Sequence, residues 1–233
     1  MNLQNAKILV TGGSLGIGKV AAKVFVDKGA QVGITGRDAA TLETAAKETG
    51  AFPITADVAK PDDVARTYEE FLGHFDGLDC LVNNAGIGVF KTLEETDTDD
   101  FNQVFSVNVF GAARMAAHAV EIFKKQGGGN IINIGSTAAE KGFERGTIYS
   151  ASKFALRGMT QCWQAELRRH NIRVMLVDPS EVATAFANPD RVEREAPANK
   201  LTSYEIAHAL VSVLEMDNRG MIPELSVWAT NPW

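Results

Sequence analysis

The sequence of 233 residues is poor in the residue patterns that mark metal, membrane or nucleic-acid proteins. It has two cysteines and four histidines, and none of them falls at a metal-ligand spacing. No apolar run reaches the roughly 18 residues that a membrane span needs. A formal net charge of −6 argues against general nucleic-acid binding, which requires clustered Lys and Arg. We therefore expect no metal site, no membrane span and no nucleic-acid partner.

The two cysteines, Cys80 and Cys162, lie in an apolar run and in a helical pattern, respectively. We predict both to be small residues of the core. Such sparse cysteine usage fits a reducing compartment. The first residues carry no cationic segment followed by an apolar stretch and a cleavage site, so we expect a cytoplasmic protein.

Hydrophobic residues make up 45% of the chain, which is enough for a full core. Short apolar runs alternate with longer helical patterns. Strands are predicted at 6–11, 31–35, 51–54, 81–83, 130–134, 173–177 and 225–228, and helices at 16–28, 39–48, 61–75, 98–126, 149–170 and 203–216. Wholly apolar strands separated by helices predict an α/β fold: a doubly wound parallel sheet of about seven strands (a Rossmann fold) with helices on both faces. We expect one domain over residues 1–233.

One segment, 186–201, departs from this regular alternation. It is polar and charged and contains Pro189 and Pro197. These features predict an exposed loop that could act as a lid over a substrate.

Three glycines, Gly12, Gly16 and Gly18, stand between the first strand and the first helix. A helix N-terminus offers free N–H groups and a positive dipole end to the pyrophosphate of a dinucleotide. Glycine is needed there because a Cβ would block the approach of the phosphates. The arrangement predicts a dinucleotide site, and the alternative is a tight strand-to-helix turn without a ligand.

The end of the second strand indicates which dinucleotide is bound. Dinucleotide folds that prefer NAD carry an acidic residue here for the ribose hydroxyls, whereas this chain has Gly36 followed by Arg37. A guanidinium can pair with a 2′-phosphate, so the sequence predicts NADP(H). The alternative for Arg37 alone is a solvated surface cation.

Tyr149 and Lys153 are four residues apart, which places them one turn apart on one helix face. Reduction of a ketone leaves an alkoxide that must gain a proton, and a free tyrosine, with a pKa of about 10, exchanges its proton poorly at neutral pH. We expect the Lys153 ammonium to lower the pKa of Tyr149. Ser136, at the end of the fifth strand, would donate a hydrogen bond to the substrate oxygen.

Together, the Thr11-Gly-x-x-x-Gly-x-Gly turn, the Asn83-Asn84-Ala85-Gly86 segment and Tyr149-x-x-x-Lys153 resemble the short-chain dehydrogenase/reductase family in its classical form. The matching motifs extend from Thr11 to Thr184. Within the family, the chain resembles NADP-preferring carbonyl reductases of the 3-oxoacyl-carrier-protein reductase type. The C-terminus lacks the Asp-Gly-Gly ending common in those reductases, which weakens a fatty-acid assignment.

The family resemblance implies a catalytic tetrad of Asn108, Ser136, Tyr149 and Lys153. In such a tetrad Asn108 holds a water that feeds protons to Lys153, and Asp57 accepts a hydrogen bond from the adenine amino group. Ser180 replaces a family glycine, and serine is less free than glycine at positive φ. The implied cofactor residues are Thr11, Gly12, Ser14, Leu15, Gly16, Ile17, Gly18, Arg37, Asp57, Val58, Asn84, Ala85, Gly86, Tyr149, Lys153, Pro179, Val182 and Thr184.

The predicted activity is NADPH-dependent reduction of a ketone or aldehyde to an alcohol, with Tyr149 as general acid/base. The alternatives are an alcohol dehydrogenase that works oxidatively with NAD(P)⁺ and a non-catalytic protein that senses a dinucleotide. Four residues are candidates for the substrate pocket or for plain packing: Phe90, Glu140, Phe143 and Phe186.

The two long helices, 98–126 and 149–170, carry more apolar residues than one face of a sheet needs. We expect them to form the interface of a homodimer or homotetramer. The apolar residues in question are Phe110, Met115, Phe154, Met159 and Trp163.

Overall fold

Seven parallel strands form one sheet in the order β3-β2-β1-β4-β5-β6-β7. The fold is seen in a computed structural model, which describes residues 1–186, 188, 190, 192–193 and 195–233. The strands are β1 Lys7–Val10, β2 Gln31–Gly36, β3 Phe52–Thr55, β4 Cys80–Asn83, β5 Gly129–Ile134, β6 Ile172–Pro179 and β7 Glu224–Val227. This strand order reverses its direction of winding beside β1, which confirms the predicted doubly wound, Rossmann-like single domain.

Helices cover both faces of the sheet. They are α1 Gly16–Asp27, α2 Ala39–Thr49, α3 Pro61–His74, α4 Thr98–Phe105, α5 Ala112–Gln126, α6 Thr147–Leu167 and α7 Ser203–Glu215. Alternate side chains of one strand enter different core layers: Ile8 packs in the layer with Phe25 of α1, and Leu9 packs in the layer with Phe123 of α5. Both faces of the sheet are therefore buried, which explains the uniformly apolar strands.

The helix predicted at 98–126 is divided into three parts. A π-helical segment, Ser106–Gly111, separates α4 from α5. Hydrophobic periodicity does not reveal one widened turn, because the apolar spacing on either side of it stays helical.

The strand predicted at 173–177 is longer in the structure, since Asp178 and Pro179 pair with Ser226 and Val227 of β7.

The prediction for the cysteines is correct for Cys80, which is buried, and wrong for Cys162, which is exposed. Cys162 lies two residues after the buried Thr160 in α6. Positions two apart on a helix point to different faces, so Cys162 faces away from the sheet. Over the described ranges, no helix is long and apolar enough to cross a membrane.

Part of the predicted lid at 186–201 lies outside the described residues, namely 187, 189, 191 and 194. Its end is tied to the body of the fold, because Leu201 forms an isolated parallel bridge with Val182. Its middle approaches the glycine turn, where the Glu193 side chain contacts the backbone of Gly16.

Candidate functional site

A cavity of about 900 Å³ opens at the carboxyl ends of the strands. In a doubly wound sheet this edge is where the loops after β1, β4, β5 and β6 meet. The predicted cofactor residues that line the cavity are Gly12, Ser14, Leu15, Gly16, Ile17, Arg37, Asp57, Val58, Asn84, Ala85, Gly86, Tyr149, Lys153, Pro179, Val182 and Thr184. The structure thus gathers into one space residues that are widely separated in the sequence.

Two predicted cofactor residues, Thr11 and Gly18, lie behind the cavity wall. The Thr11 hydroxyl accepts the backbone N–H groups of Asn84 and Ala85, each at 3.0 Å. A Cβ on Gly18 would collide with the Gly12 carbonyl oxygen and the Asn84 side chain. Both residues shape the turn, and among the described atoms neither faces the cavity.

The glycine turn has the backbone geometry that close approach to a ligand requires. Gly12 and Gly16 have φ of +66° and +56°, and a Cβ at Gly12 would lie 2.9 Å from the Ala85 Cα. Leu15, the N-cap of α1, provides no side-chain cap, and the first turn of α1 contains no acidic residue. The start of α1 therefore keeps the positive partial charge that attracts an anion.

A carboxylate of the protein itself already lies against this turn. The Glu193 Oε1 accepts the backbone N–H of Gly16 at 2.7 Å, and Oε2 accepts the N–H of Ala185 at 3.2 Å. An anionic oxygen thus fits the donor that the sequence assigns to a phosphate. On this test the glycine cradle suits the pyrophosphate of a dinucleotide.

Arg37 directly follows β2 and lines the same cavity. Its side chain is exposed, and no ion pair joins it to any residue that the structure describes. Nearby, Asp57 Oδ1 accepts the backbone N–H of Ala59 at 3.0 Å, which orients that carboxylate at the cavity wall. The charge and position of Arg37 suit a 2′-phosphate.

Tyr149, Ser136 and Lys153 meet at the inner end of the cavity. The Ser136 side chain lies close enough to the Tyr149 hydroxyl to lower the pKa of Tyr149. Lys153 Nζ donates to the Ile134 carbonyl oxygen at 2.8 Å and lies 5.7 Å from the centroid of the Tyr149 ring. The spacing of Tyr149 and Lys153 on α6 therefore brings both side chains to the end of β5.

The predicted downward shift in the pKa of Tyr149 is wrong for this structure. Burial raises the pKa of Tyr149, the hydrogen bond with Ser136 opposes that rise, and the charge of Asp178 adds to it. Burial also lowers the pKa of Lys153 to about 8, against a smaller upward effect from Asp178. The largest of these effects is desolvation, because burial disfavours the charged phenolate.

Asn108 lies in the π-helical segment and is fully buried. Its Nδ2 donates to the Ile87 carbonyl oxygen at 2.9 Å and to Ser152 Oγ at 3.0 Å, while Oδ1 accepts the Ile87 N–H at 2.9 Å. A Cβ on Gly86 would approach both Asn108 Oδ1 and Lys153 Nζ, at 3.5 and 3.8 Å. Asn108 therefore lies behind the cavity wall near Lys153, and its link to a water stays a prediction.

Ser180 causes no backbone strain. The non-glycine residues with positive φ in the described ranges are Asn5, Arg145 and Asn171. The Ser180 N–H donates to the Val227 carbonyl oxygen at 2.9 Å, which continues the pairing of β6 with β7. The strand extension places Ser180 without any need for the freedom of glycine.

Aromatic rings surround Tyr149. The rings of Phe90 and Phe186 lie 5.6 and 5.4 Å from the Tyr149 ring, and Phe143 packs 6.1 Å from Phe90. These three candidates line the cavity, whereas Glu140 does not and instead accepts a hydrogen bond from Ser226 Oγ at 2.7 Å. Its candidacy as a pocket residue is therefore wrong.

Sequence reasoning missed two residues of the site. Trp228 lines the cavity just after β7, and its position at a strand end is the signal that could have found it. Asp178, which precedes Pro179 at the end of β6, is fully buried and accepts the backbone N–H of Ser136 at 2.8 Å. Asp178 could have been found from the sequence as the single acidic residue at the end of a mostly apolar strand.

The fold and site together define a dinucleotide-type α/β protein with a tyrosine–lysine pair at its cavity. The family model for short chain dehydrogenases matches residues 6–195, and this chain belongs to that family of oxidoreductases. It is 40% identical over 185 residues to a protein of Thermotoga maritima described as an uncharacterized oxidoreductase, covering 77% of this chain and 72% of that protein.

Other relatives agree over nearly the whole chain. A 3-oxoacyl-[acyl-carrier-protein] reductase of Homo sapiens is 33% identical over 212 residues, which cover 88% of this chain and 90% of that one. The crystal structure of an alcohol dehydrogenase from Thermococcus sibiricus, complexed with 5-hydroxy-NADP, aligns with a TM-score of 0.88 at 26% identity and covers 97% of each chain.

Proposed function

We propose that this protein reduces a ketone or aldehyde to an alcohol with NADPH, and that Tyr149 is its general acid/base. One observation carries the proposal: a single cavity has a glycine cradle and Arg37 at one end and Tyr149, Ser136 and Lys153 at the other. The named relatives support the class of reaction, since they include a reductase and an alcohol dehydrogenase.

The residues of the glycine turn would hold the pyrophosphate, and Arg37 would pair with the 2′-phosphate. Asp57 and Val58 would contact the adenine, and Asn84, Ala85 and Gly86 the adjacent ribose. Pro179, Val182 and Thr184 would contact the nicotinamide end. Lys153 would donate to the nicotinamide ribose from its buried position beside Gly86.

Bound NADPH supplies the hydride that adds to the carbonyl carbon. The Tyr149 hydroxyl then donates its proton to the oxygen that has become an alkoxide, and Ser136 donates a hydrogen bond to the same oxygen. In the reverse direction the Tyr149 phenolate accepts the proton of the alcohol. Asn108 would orient a water that returns a proton toward Lys153.

The rings of Phe90 and Phe186 beside Tyr149, with Phe143 next to Phe90, favour a substrate whose carbonyl is attached to apolar groups. Arg37 supports NADP(H) over NAD(H) as the cofactor, and we propose the reductive direction on the basis of that cofactor choice. The family's 3-oxoacyl thioesters are one member of the apolar ketone class.

We also propose a homo-oligomer formed through the long helices. Phe110 in the π-helical segment and Phe154 in α6 are 49% and 48% exposed, which is unusual for phenylalanine. Met115 does not belong to this surface, since it is buried in the core.

The oligomer is tested by measuring the molar mass of the protein by light scattering. Phe154→Asp should lower the molar mass, whereas Leu93→Asp, at a 73% exposed site outside these helices, should leave it unchanged. A monomeric parent protein would contradict the proposal.

The activity test follows NADPH absorbance with a panel of ketones and aldehydes. Tyr149→Phe should lose about 100-fold or more of kcat, because the proton donor is gone. Tyr204→Phe is the matched control, since Tyr204 is 61% exposed and lies outside the cavity. Unchanged turnover in Tyr149→Phe would exclude this mechanism, and NADPH binding without any turnover in the parent protein would favour a dinucleotide sensor.

A further inference from the structure

Asp178 is a buried acid built into the support of Ser136. Its Oδ1 accepts the Ser136 N–H at 2.8 Å, while its Oδ2 is buried without a hydrogen-bond partner among the described atoms. A Cβ on Gly135 would collide with Oδ1, so the glycine before Ser136 makes room for this carboxyl group. The end of β5 is therefore shaped around Asp178.

Two further carboxyl groups meet Asp178 there. Oxygens of Asp178, Glu140 and Glu224 all lie within 4.8 Å of one another. Arg157 of α6 pairs with Glu224 and is the only cation joined to these three acids by an ion pair in the part of the chain that the structure describes. One guanidinium does not balance three ionised carboxyl groups at this separation, so negative charge accumulates around Asp178.

Asp178 is the buried member of the cluster, and its charged form is the one that the surroundings disfavour. Burial raises the pKa of Asp178 to about 6; the Ser136 N–H and Arg157 oppose the rise, and Glu224 and Glu140 add to it. The ionised carboxylate in turn raises the pKa of Tyr149 and that of Lys153. Asp178 is thus coupled to the proposed catalytic groups by geometry and by charge.

We propose that Asp178 is a positioning residue of this site: it holds Ser136 through its backbone N–H, and the gain or loss of its own proton sets the charge that Tyr149 and Lys153 experience. The inference rests on the proposed function, because it acts through Ser136 and Tyr149.

The direction of the pH effect follows from the groups that face Asp178. These are Glu140 from the segment before α6, Tyr149, Lys153 and Arg157 from α6, and Glu224 from β7. Above about pH 6 the ionised Asp178 favours the protonated phenol, and below it the neutral acid does not. Removing the charge should therefore shift the titration of Tyr149 to lower pH.

The kinetic test compares pH profiles of kcat/KM for alcohol oxidation. Asp178→Asn keeps an oxygen for the Ser136 N–H but has no charge, so its Tyr149 limb should move down by about half a pH unit or more. Asp178→Leu removes the acceptor as well, and its kcat should fall about 10- to 100-fold while the dissociation constant of NADPH stays unchanged. Profiles of Asp178→Asn and parent protein that superimpose would overturn the proposal.

Glu140→Gln separates the titration of Asp178 from a purely structural role, because it leaves the contact between Asp178 and Ser136 intact. Its loss of a neighbouring negative charge should move the inflection near pH 6 to lower pH. If magnesium chloride removes that inflection from the parent protein, a cation rather than a proton occupies the cluster, and the proposal is overturned.

A readout without turnover is the urea unfolding midpoint between pH 4 and 7. The folded-state pKa of Asp178 lies above its unfolded value, so folding takes up a proton in this window and the parent protein loses stability as the pH rises. Asp178→Asn should therefore gain stability relative to the parent protein from pH 4 to 7. A constant difference contradicts the raised pKa of Asp178 and with it the proposal, whereas this shift in a protein without carbonyl turnover would contradict only the proposed function.

Discussion

Glu193 Oε1 and the backbone N–H of Gly16 lie 2.7 Å apart, although 177 residues separate them in the sequence. The carboxylate belongs to the segment 186–201, and the N–H belongs to the turn that we assign to the pyrophosphate. A bound phosphate would have to displace Glu193, which costs part of the binding free energy of the dinucleotide.

Glu193→Ala should therefore bind NADPH more tightly, by about threefold to tenfold, because no carboxylate competes for the Gly16 N–H. Fluorescence titration of NADPH measures this change. Glu195→Ala is the matched control from the same exposed segment. Equal affinities in all three proteins would show that the Glu193 contact does not oppose the dinucleotide.

Arg37→Ala should weaken NADPH binding by about tenfold and leave NADH binding nearly unchanged. The reason is that, in the proposed binding mode, the guanidinium would meet only the 2′-phosphate, which NADH lacks. Dissociation constants of both dinucleotides, measured by isothermal titration, check this prediction. Arg219→Ala, which changes a cation paired with Asp217 far from the cavity, should alter neither constant. A parallel loss of both affinities in Arg37→Ala would argue against the assigned contact.

Gly12→Ala should destabilise the fold by about 1 to 3 kcal/mol, because alanine is strained at a φ of +66° and its Cβ would press on the Ala85 Cα. Gly73→Ala supplies the opposite case. It lies in α3 with nothing within 4 Å of an added Cβ, so alanine should stabilise the helix by about 0.5 to 1 kcal/mol. Urea denaturation followed by circular dichroism distinguishes the two signs, and destabilisation by both variants would contradict the argument.

Lys153→Met should stabilise the protein at pH 7 by about 1 to 2 kcal/mol, since a buried ammonium is removed. The folded-state pKa of Lys153, about 8, lies below its unfolded value of 10.5. The unfolded chain therefore binds the extra proton, and the parent protein gains stability as the pH rises from about 8 toward 10.5. The advantage of Lys153→Met in unfolding free energy should shrink over that range. An advantage that stays constant up to pH 10 would mean that Lys153 titrates normally.

The sheet was predictable because its strands are buried on both faces, which leaves uninterrupted apolar runs such as the one ending at Val10. The residues that line the cavity were predictable because strand ends and helix starts meet at one edge of a parallel sheet. The local pattern of apolar residues was sufficient wherever the position of a side chain depends only on the repeat of its own helix or strand.

The rest depends on packing between distant segments. The pKa of Tyr149 rises because the surrounding protein buries it, and burial cannot be read from the spacing to Lys153. The Glu140 side chain accepts a hydrogen bond from Ser226 because β7, which carries Ser226, adds to the sheet beside β6. The exposure of Cys162 depends on which face of α6 meets the sheet. These outcomes follow from tertiary contacts that no single segment encodes.

The widened turn at Ser106–Gly111 also sets the rotational phase of α5, the helix that begins directly after it. One residue corresponds to about 100° of rotation on a regular helix. A π turn accommodates roughly one residue more per turn, so Asn108 can face Lys153 while Met115 and Phe123 still face the sheet. Deleting a single residue here would turn those two core side chains toward the surface, which makes chain length in this stretch as constrained as the identity of any side chain.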